Sequence, residues 1–363
     1  MPGTPYIEID EKILRENIRE MSQLASRNQV ALRPHIKTHK IPSIAKMQIA
    51  EGAVGITVAK ISEAKVMASY GIDDIFIAYP IVTEDKVEEV CELNKNLKNL
   101  LLGVDSIEGA RALNQGAEKA QQHLQVRLEI DSGLARTGVD LHQVTELAGK
   151  INEMEYLSLQ GIFTFKGPVF KGKSTTDLQQ AGIEEGELMV EAAAQLKRAG
   201  IEVKDISAGS TPTASSVSTV KGVTEIRPGT YVFNDSMQVK LGVSDWQHCA
   251  AQVVTTVVSR PTNKRAVIDG GSKTFATDVQ PGHAPLNLEG FGEIINFSDC
   301  VFARMNEEHG VILTEHSNLQ IGDQVRIIPN HICSTINLHN FVYLNNGEME
   351  VEKVSIEARG KLQ

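Results

Sequence analysis

The segment ALRPHIKTHK (Ala31–Lys40) leads from an apolar run into a lysine, Lys37, that His35 and His39 flank at two-residue spacing. Alternate side chains of an extended strand share a face, so an extended conformation would place His35, Lys37 and His39 together. Lysine is disfavoured in protein interiors unless it is paired or takes part in chemistry. A lysine at the end of a buried strand is therefore a candidate for Schiff-base chemistry with a carbonyl compound. The alternative is that Lys37 and Lys40 are solvated loop lysines.

Strand-like and helical patterns alternate on both sides of this segment. The predicted strands are Ala31–Ile36, Val54–Ala59, Asp74–Tyr79, Leu100–Val104, Gln125–Asp131, Gly161–Phe165, Lys204–Ala208 and Tyr231–Phe233. The predicted helices between them are Ser62–Tyr70, Thr83–Asn94, Ser106–Gln122, Leu141–Glu153 and Asp177–Ala199. This repetition predicts a (β/α)8 TIM-like barrel of the α/β class. A doubly wound open sheet is the alternative, although no Gly-x-Gly-x-x-Gly motif follows the first strand.

The last third of the chain has a different pattern, with β-branched runs separated by turn residues. The runs are Cys249–Ser259, Arg265–Gly271, Gly310–Glu315, Asp323–Pro329 and Phe341–Ala358. Within the last run, Asn345-Asn346-Gly347 is a typical hairpin turn. We therefore expect a mainly antiparallel β domain over 243–363, joined by residues 1–9, after a barrel over 10–242.

Composition limits the possible partners and location. The net charge of −10 disfavours binding to nucleic acid or to an anionic membrane. The first ten residues lack the apolar core of a secretory signal, and no apolar run reaches the ~18 residues of a membrane span. The four cysteines are scattered, as in proteins of a reducing compartment, so we expect a cytoplasmic protein.

Active sites of such barrels lie at the carboxyl ends of the strands. Lys37 follows the first predicted strand and Arg136 follows the fifth. Gly209, Ser210 and Thr211 follow the seventh, where barrels often bind phosphate through backbone N–H groups and hydroxyls. An ordinary loop is the alternative for this Gly-Ser-Thr turn.

A second group of candidate residues lies in the segment PNHICSTINLHN (Pro329–Asn340). His331 and Cys333 would share a face of a strand and could bind one metal ion. Imidazole and thiolate favour zinc over magnesium or calcium, and two protein ligands leave positions open for water or substrate. The alternative is a core cysteine beside a surface histidine. Further ligands are open, with His339, Asp269 and His309 available.

These motifs together resemble the fold-type III pyridoxal-phosphate enzymes, and among them the group of D-threonine aldolase and D-serine dehydratase. The resemblance spans nearly the whole chain and also includes ARGK (Ala358–Lys361). It implies that Lys37 binds the cofactor covalently and that Arg136 contacts its phenolic oxygen. By the same resemblance the remaining cofactor contacts are Gly209, Ser210, Thr211 and Tyr231, and the metal ligands are His331 and Cys333.

One segment departs from the group's pattern. Where relatives carry a small or histidine-containing stretch, this chain reads TFKGPVFKG (Thr164–Gly172). Lys166 either replaces a polar residue that positions the substrate or is a solvated loop lysine. The candidate catalytic residues are thus Lys37, His35 and Lys166.

The resemblance implies a lyase that uses pyridoxal 5'-phosphate and a divalent metal (zinc, or manganese or magnesium) on D-3-hydroxy amino acids. We expect D-threonine aldolase activity first, with a D-serine, D-threonine or 3-hydroxyaspartate dehydratase as the alternative. An amino-acid racemase is a further alternative, although racemisation needs no metal. A non-catalytic cofactor-binding protein would carry the barrel alone, and a metal hydrolase would place its ligands on the barrel. The resemblance also implies a homodimer.

Overall fold

The structure is a computed structural model that describes residues 2–316, 318–348 and 351–363. Its strands are β1 (Tyr6–Asp10), β2 (Ala31–Leu32), β3 (Ile56–Val58), β4 (Asp74–Ile77), β5 (Asn99–Val104), β6 (Leu124–Glu129), β7 (Leu157–Phe163), β8 (Val169–Phe170), β9 (Lys173–Ser174), β10 (Asp205–Ala208), β11 (Glu225–Ile226), β12 (Ala251–Thr262), β13 (Arg265–Ile268), β14 (Gly292–Ile294), β15 (Cys300–Met305), β16 (Gly310–Thr314), β17 (Gln324–Pro329), β18 (Phe341–Asn345) and β19 (Glu352–Ser355).

The helices alternate with the strands in the first two thirds of the chain. They are α1 (Glu11–Arg27), α2 (Pro42–Ala50), α3 (Ile61–Ser69), α4 (Glu84–Asn94), α5 (Ile107–Lys119), α6 (Val144–Asn152), α7 (Leu178–Arg198), α8 (Ala214–Val217), α9 (Ser236–Lys240) and α10 (Ile332–Ile336). Short 3-10 helices cover Ile36–Thr38, Leu141–Gln143, Thr230–Val232 and Trp246–His248.

The chain divides into two compact units. The barrel unit contains Glu20–Lys37, Pro42–Gly229 and Lys361–Gln363. The β unit contains Met1–Arg19, Thr38–Ile41 and Thr230–Gly360. The predicted boundaries at residues 10 and 242 stay a prediction.

In the described part of the barrel unit, eight parallel strands follow the order β2-β11-β10-β7-β6-β5-β4-β3. The ring closes between the two end strands of this order, because the N–H of Thr57 donates to the carbonyl of Pro34 over 2.8 Å. His35 and Thr57 also form a parallel bridge. The (β/α)8 barrel is therefore confirmed, and the alternative of an open sheet is wrong.

Both aromatic and small residues fill the interior of the barrel. Phe76 and Phe163 meet edge to face with ring centroids 5.0 Å apart. Gly161 allows close approach of neighbouring strands, because a Cβ there would lie 2.3 Å from the carbonyl oxygen of Asp205. This close packing holds the strand ends in fixed positions.

The β unit is built on a mainly antiparallel sheet, as predicted. In the described residues this sheet has nine strands, seven of them in the order β15-β16-β13-β12-β1-β18-β19, with β17 on β12 and β14 on β17. β18 and β19 pair as an antiparallel hairpin, and the turn predicted at Asn345-Asn346-Gly347 lies at the start of the connection between them. Residues 349 and 350 of the run predicted there lie outside the described residues.

Two predicted strands differ from the structure. The strand that begins at Ala31 ends at Leu32, and Ile36–Thr38 forms a 3-10 helix. The eighth barrel strand is Glu225–Ile226, whereas Tyr231 lies in the 3-10 helix Thr230–Val232. In both places a proline removes one backbone donor shortly after the strand, which interrupts the regular sheet ladder.

No helix among the described residues is long and apolar enough to span a membrane.

Candidate active site

Lys37 lies where the first barrel strand turns into a 3-10 helix. The N–H of His35 donates to the carbonyl of Pro228 over 3.0 Å, which anchors the segment to the neighbouring strand end. The N–H of Lys37 donates to Nδ1 of His35 over 3.3 Å. The predicted common face of His35, Lys37 and His39 is wrong, because the helical turn redirects the chain. His39 is fully buried in the β unit, where it packs edge to face against Phe233.

Lys37 and His35 line a cavity of about 350 Å³ in the barrel unit. Phe165 and Arg136 belong to the same wall. The Lys37 amine and the Arg136 guanidinium each lie 5.1 Å from the centroid of the Phe165 ring. Two cations beside one aromatic ring are suited to a flat, negatively charged ligand.

Sequence reasoning missed two charged residues in this wall, Glu129 and Arg227. Burial raises the pKa of Glu129, whose carboxylate accepts a hydrogen bond from Thr137 over 2.9 Å. Burial lowers the pKa of Arg227 to about 10. The Arg227 guanidinium donates to the hydroxyl of Ser207 and the carbonyl of Thr164. A sequence signal was available, because Glu129 begins the stretch EIDSGLAR that ends at Arg136, and Arg227 begins the stretch RPGTY that ends at Tyr231.

The predicted phosphate turn follows β10. Gly209 has φ of +87°, a left-handed conformation that favours glycine. Its N–H donates to the carboxyl of Glu185 over 2.9 Å, and the N–H of Ser210 donates to the hydroxyl of Thr213 over 3.1 Å. Thr211 accepts a bond from the N–H of Gly229 over 3.2 Å. Internal hydrogen bonds therefore fix the turn, and its role in phosphate binding stays a prediction.

Lys166 is buried at 1% exposure and forms an ion pair with Glu184. The alternative of a solvated loop lysine is wrong. Lys166 is not among the described residues that line the cavity. Its catalytic role stays a prediction.

Tyr231 lies in the β unit, buried at 3% exposure in the 3-10 helix Thr230–Val232. Its contact with the cofactor stays a prediction.

His331 and Cys333 lie close together in the β unit, although the predicted strand is wrong. His331 precedes the helix α10, and Cys333 lies in its first turn. Burial favours the neutral thiol, but the neighbouring His331 lowers the pKa of Cys333 by charge and by a hydrogen bond. Burial likewise favours the neutral imidazole, but Cys333 and Asp278 raise the pKa of His331 to about 11. The two groups therefore shift each other's pKa in opposite directions, with that of the thiol lowered and that of the imidazole raised.

Other polar groups surround this pair. Nδ1 of His331 lies 2.6 Å from a carboxylate oxygen of Asp278, and the hydroxyl of Ser334 donates to the same oxygen over 2.8 Å. The hydroxyls of Thr38 and Thr230 lie 3.2 and 3.4 Å from the sulfur of Cys333. With Nδ1 on a carboxylate, Nε2 of His331 is the nitrogen for a metal, as in carboxylate–histidine–metal arrangements.

The described residues contain no group of three or more His, Cys, Asp or Glu side chains that could hold a metal ion. Nε2 of His339 lies 3.0 Å from the carbonyl of Thr274, and Asp269 accepts a bond from the N–H of Thr256 over 2.8 Å. These two candidates thus have other partners. A metal on His331 and Cys333 would keep positions open for water or substrate.

The side chains present fit both groups that the resemblance implies, pyridoxal phosphate and a divalent metal. A lysine, an arginine and an aromatic ring around one cavity match the carbonyl, phenolic oxygen and ring of pyridoxal phosphate. A thiolate beside an imidazole matches a borderline-soft metal such as zinc.

Comparison with known proteins places the chain in this family. The model of the alanine racemase N-terminal domain matches residues 9–237, and that of a putative serine dehydratase domain matches residues 250–345. The chain therefore belongs to the alanine racemase N-terminal domain family, and the predicted resemblance to fold-type III pyridoxal-phosphate enzymes is confirmed.

Relatives within the family carry different activities. A D-serine dehydratase of Dictyostelium discoideum is 31% identical over 96% of this chain and 95% of its own. A D-threonine aldolase of Arthrobacter is 30% identical over 98% of this chain and 93% of its own. The solved D-threo-3-hydroxyaspartate dehydratase of Delftia superposes with a TM-score of 0.91 at 29% identity, over 98% of this chain and 97% of its own. A cysteine-to-alanine variant of a D-threo-3-hydroxyaspartate dehydratase has been solved in a metal-free form.

Proposed function

We propose that this protein is a lyase that acts on D-3-hydroxy amino acids with pyridoxal phosphate bound to Lys37 and a divalent metal bound to His331 and Cys333. One observation supports the proposal most strongly, namely the cavity in which Lys37 and Arg136 flank the ring of Phe165. The relatives are named for reactions of D-serine, D-threonine or 3-hydroxy-D-aspartate, which supports the substrate class.

Each group has residues suited to hold it. Lys37 would bind the cofactor carbonyl, Arg136 its phenolic oxygen, and the Gly209–Thr211 turn its phosphate. When bound, the cofactor withdraws electrons from the substrate's α-carbon, and the metal withdraws electrons from its β-hydroxyl.

Among the possible reactions, we propose dehydration first, because Lys37, the base that it needs, already lines the cavity. Once released from the cofactor, the Lys37 amine would be the base that takes the substrate's α-proton. Arg136 would hold the cofactor's phenolic oxygen during this step. The β-hydroxyl would leave with a proton as water, and one water would be taken up when the nitrogen is released, so the net products would be a 2-oxo acid and ammonia.

Retro-aldol cleavage would need a base that removes the proton of the β-hydroxyl. Nδ1 of His35 already accepts a hydrogen bond from the N–H of Lys37. Lys166 is already paired with Glu184. In these arrangements neither His35 nor Lys166, the two other predicted catalytic residues, is prepared to remove the proton of the β-hydroxyl.

D-Threonine aldolase activity, our first expectation from the sequence, is the second candidate. The presence of His35 in the same cavity wall as Lys37 favours it, because a flip of the imidazole would present the other nitrogen to the substrate. Racemisation is the third candidate, and it predicts an activity that chelation leaves intact.

A product assay tests the proposal. The holoenzyme with a divalent metal is incubated with D-threonine, and 2-oxobutanoate, ammonia, glycine and acetaldehyde are quantified. Dehydration predicts equal amounts of 2-oxobutanoate and ammonia, lost on chelation and in Lys37→Ala but retained in the surface variant Lys65→Ala. Glycine and acetaldehyde would establish the aldolase instead. Formation of L-threonine as the sole product, at a rate that chelators do not change, would contradict the lyase proposal.

The homodimer and the cytoplasmic location remain proposals that rest on the resemblance and on composition.

A further inference from the structure

The wall of the Lys37 cavity is rich in positive charge. Four cationic side chains line it, namely Lys37, Lys60, Arg136 and Arg227, against the single carboxyl of Glu129 among the described lining residues. This excess occurs in a chain whose net charge is −10. A local surplus of cations indicates anionic ligands.

Three of these cations already have a role. Lys37 and Arg136 lie beside Phe165, where the proposed function assigns them to the cofactor. Arg227 is held by hydrogen bonds to Ser207 and to a backbone carbonyl. Lys60 is therefore the cation of the wall that has no assignment.

Lys60 stands between the end of β3 and the start of α3, at the carboxyl ends of the barrel strands where such enzymes bind substrate. The backbone before it is fixed, because the N–H of Ala59 donates to the carboxyl of Glu63 over 2.7 Å. The Lys60 amine lies 3.5 Å from the centroid of the Tyr79 ring. Among the described residues, no carboxylate forms an ion pair with Lys60.

The contact with Tyr79 holds the amine without neutralising it. The Tyr79 side chain is 45% exposed, and a cation–π contact at an exposed site is weak. A carboxylate is a stronger partner for an ammonium group, so an entering ligand can take the amine from the ring.

We propose that Lys60 binds the α-carboxylate of the D-amino acid substrate. The inference rests on the proposed function for the identity of the ligand, because an α-carboxylate is common to D-serine, D-threonine and 3-hydroxy-D-aspartate. Lys60 fixes one substituent of the α-carbon while the cofactor fixes the amino group. With these two groups held, only one enantiomer directs its α-proton toward the Lys37 amine, so Lys60 contributes to the choice of enantiomer.

The test measures binding apart from turnover. The holoenzyme is titrated with D-alanine, which has the α-carboxylate but no β-hydroxyl, and binding is followed by the change in cofactor absorbance. Lys60→Met is expected to raise the dissociation constant about 10- to 100-fold, the effect of losing one charged hydrogen bond. Lys60→Arg should recover part of the affinity. Lys65→Met, an exposed lysine of α3 that pairs with Glu89, is the control and should bind D-alanine normally.

Kinetics and cofactor affinity complete the test. Lys60→Met should raise KM for D-threonine and D-threo-3-hydroxyaspartate by similar factors, with kcat changed less. Unchanged binding of D-alanine, or a loss of cofactor affinity in its place, would overturn the assignment. So would an effect confined to the dicarboxylic substrate, or a wild-type protein that does not bind D-alanine. The protein could also bind D-alanine in a Lys60-dependent way and yet form no product from D-threonine. That result would refute the proposed function but would leave the role of Lys60 in carboxylate binding intact.

Discussion

The replacement Glu225→Gln tests how the barrel tolerates the charges in its interior. Glu225 is buried on β11 and accepts hydrogen bonds from Arg127 at 2.6 Å, Arg33 at 2.8 Å and the hydroxyl of Ser207 at 2.6 Å. Burial favours the neutral acid, but Arg127 and Arg33 outweigh it and lower the pKa of Glu225 from 4.5 to about 2. The ionised carboxylate is therefore what the folded barrel requires.

The pKa shift sets the size of the effect. Lowering the pKa from 4.5 to about 2 corresponds to about 3 kcal/mol of folding free energy. Because the folded pKa lies below the unfolded value, this stability is fully present above pH 4.5 and is lost as the pH falls through about 2. Glutamine removes the charge and leaves two buried guanidinium groups short of a counter-ion. For a chain of 363 residues, about 3 kcal/mol lowers the melting temperature by roughly 4 °C at pH 7.

Thermal unfolding of the wild type and of Glu225→Gln should be compared at pH 7 and at decreasing pH. The difference in melting temperature should narrow as the pH falls below 4.5, where the wild-type carboxylate loses its advantage. Glu84→Gln is the control, because Glu84 pairs with Lys119 on the surface and its removal should leave the melting temperature unchanged. Equal melting temperatures for Glu225→Gln and the wild type at pH 7 would refute the reasoning.

Two further predictions concern the other candidate site residues. Cys333→Ala should lower metal affinity at least about tenfold, measured as bound metal after dialysis. The control Cys249→Ala, which replaces a buried cysteine elsewhere, should retain its metal. Equal metal content in the two variants would contradict a ligand role for Cys333. Lys166→Met should lower the melting temperature, because it breaks the pair with Glu184, while catalytic efficiency on D-threonine changes less than about tenfold. If turnover instead falls by about a hundredfold or more, on the scale of a lost general acid–base, Lys166 is catalytic.

Much of the fold could be predicted from the sequence, because its signals are local. The helices predicted at Ser62–Tyr70, Thr83–Asn94 and Asp177–Ala199 correspond to α3, α4 and α7, since each has a start signal and an apolar face. The repeated alternation then requires a parallel sheet, and short connections close it into a barrel.

The errors occur where tertiary structure overrides local pattern. The segment after Leu32 has the alternation of a strand, but Pro34 interrupts it and the chain turns at Ile36–Thr38. Tyr231 lies in a short apolar run that an isolated sequence cannot distinguish from a buried strand.

The motifs of the site could be predicted from the sequence, but the burial and the charged partners of its side chains could not. Lys37 and Arg136 were identified from their positions after strands, and in the structure both lie beside the Phe165 ring. The burial of Lys166 against Glu184 depends on a partner 18 residues away, which no local pattern reveals. Glu129 and Arg227 come together in the cavity wall only in the closed barrel, so their place in the site could not be predicted from local sequence.

The central claim is that Lys37 holds the cofactor, and mapping of that lysine tests it most directly. Purified protein is loaded with pyridoxal phosphate, reduced with borohydride, digested and analysed by mass spectrometry. The account predicts one phosphopyridoxyl group, on Lys37, in the peptide that contains His35. Stable labelling of Lys40, Lys60 or Lys166 in its place, or protein that takes up no cofactor, would contradict it.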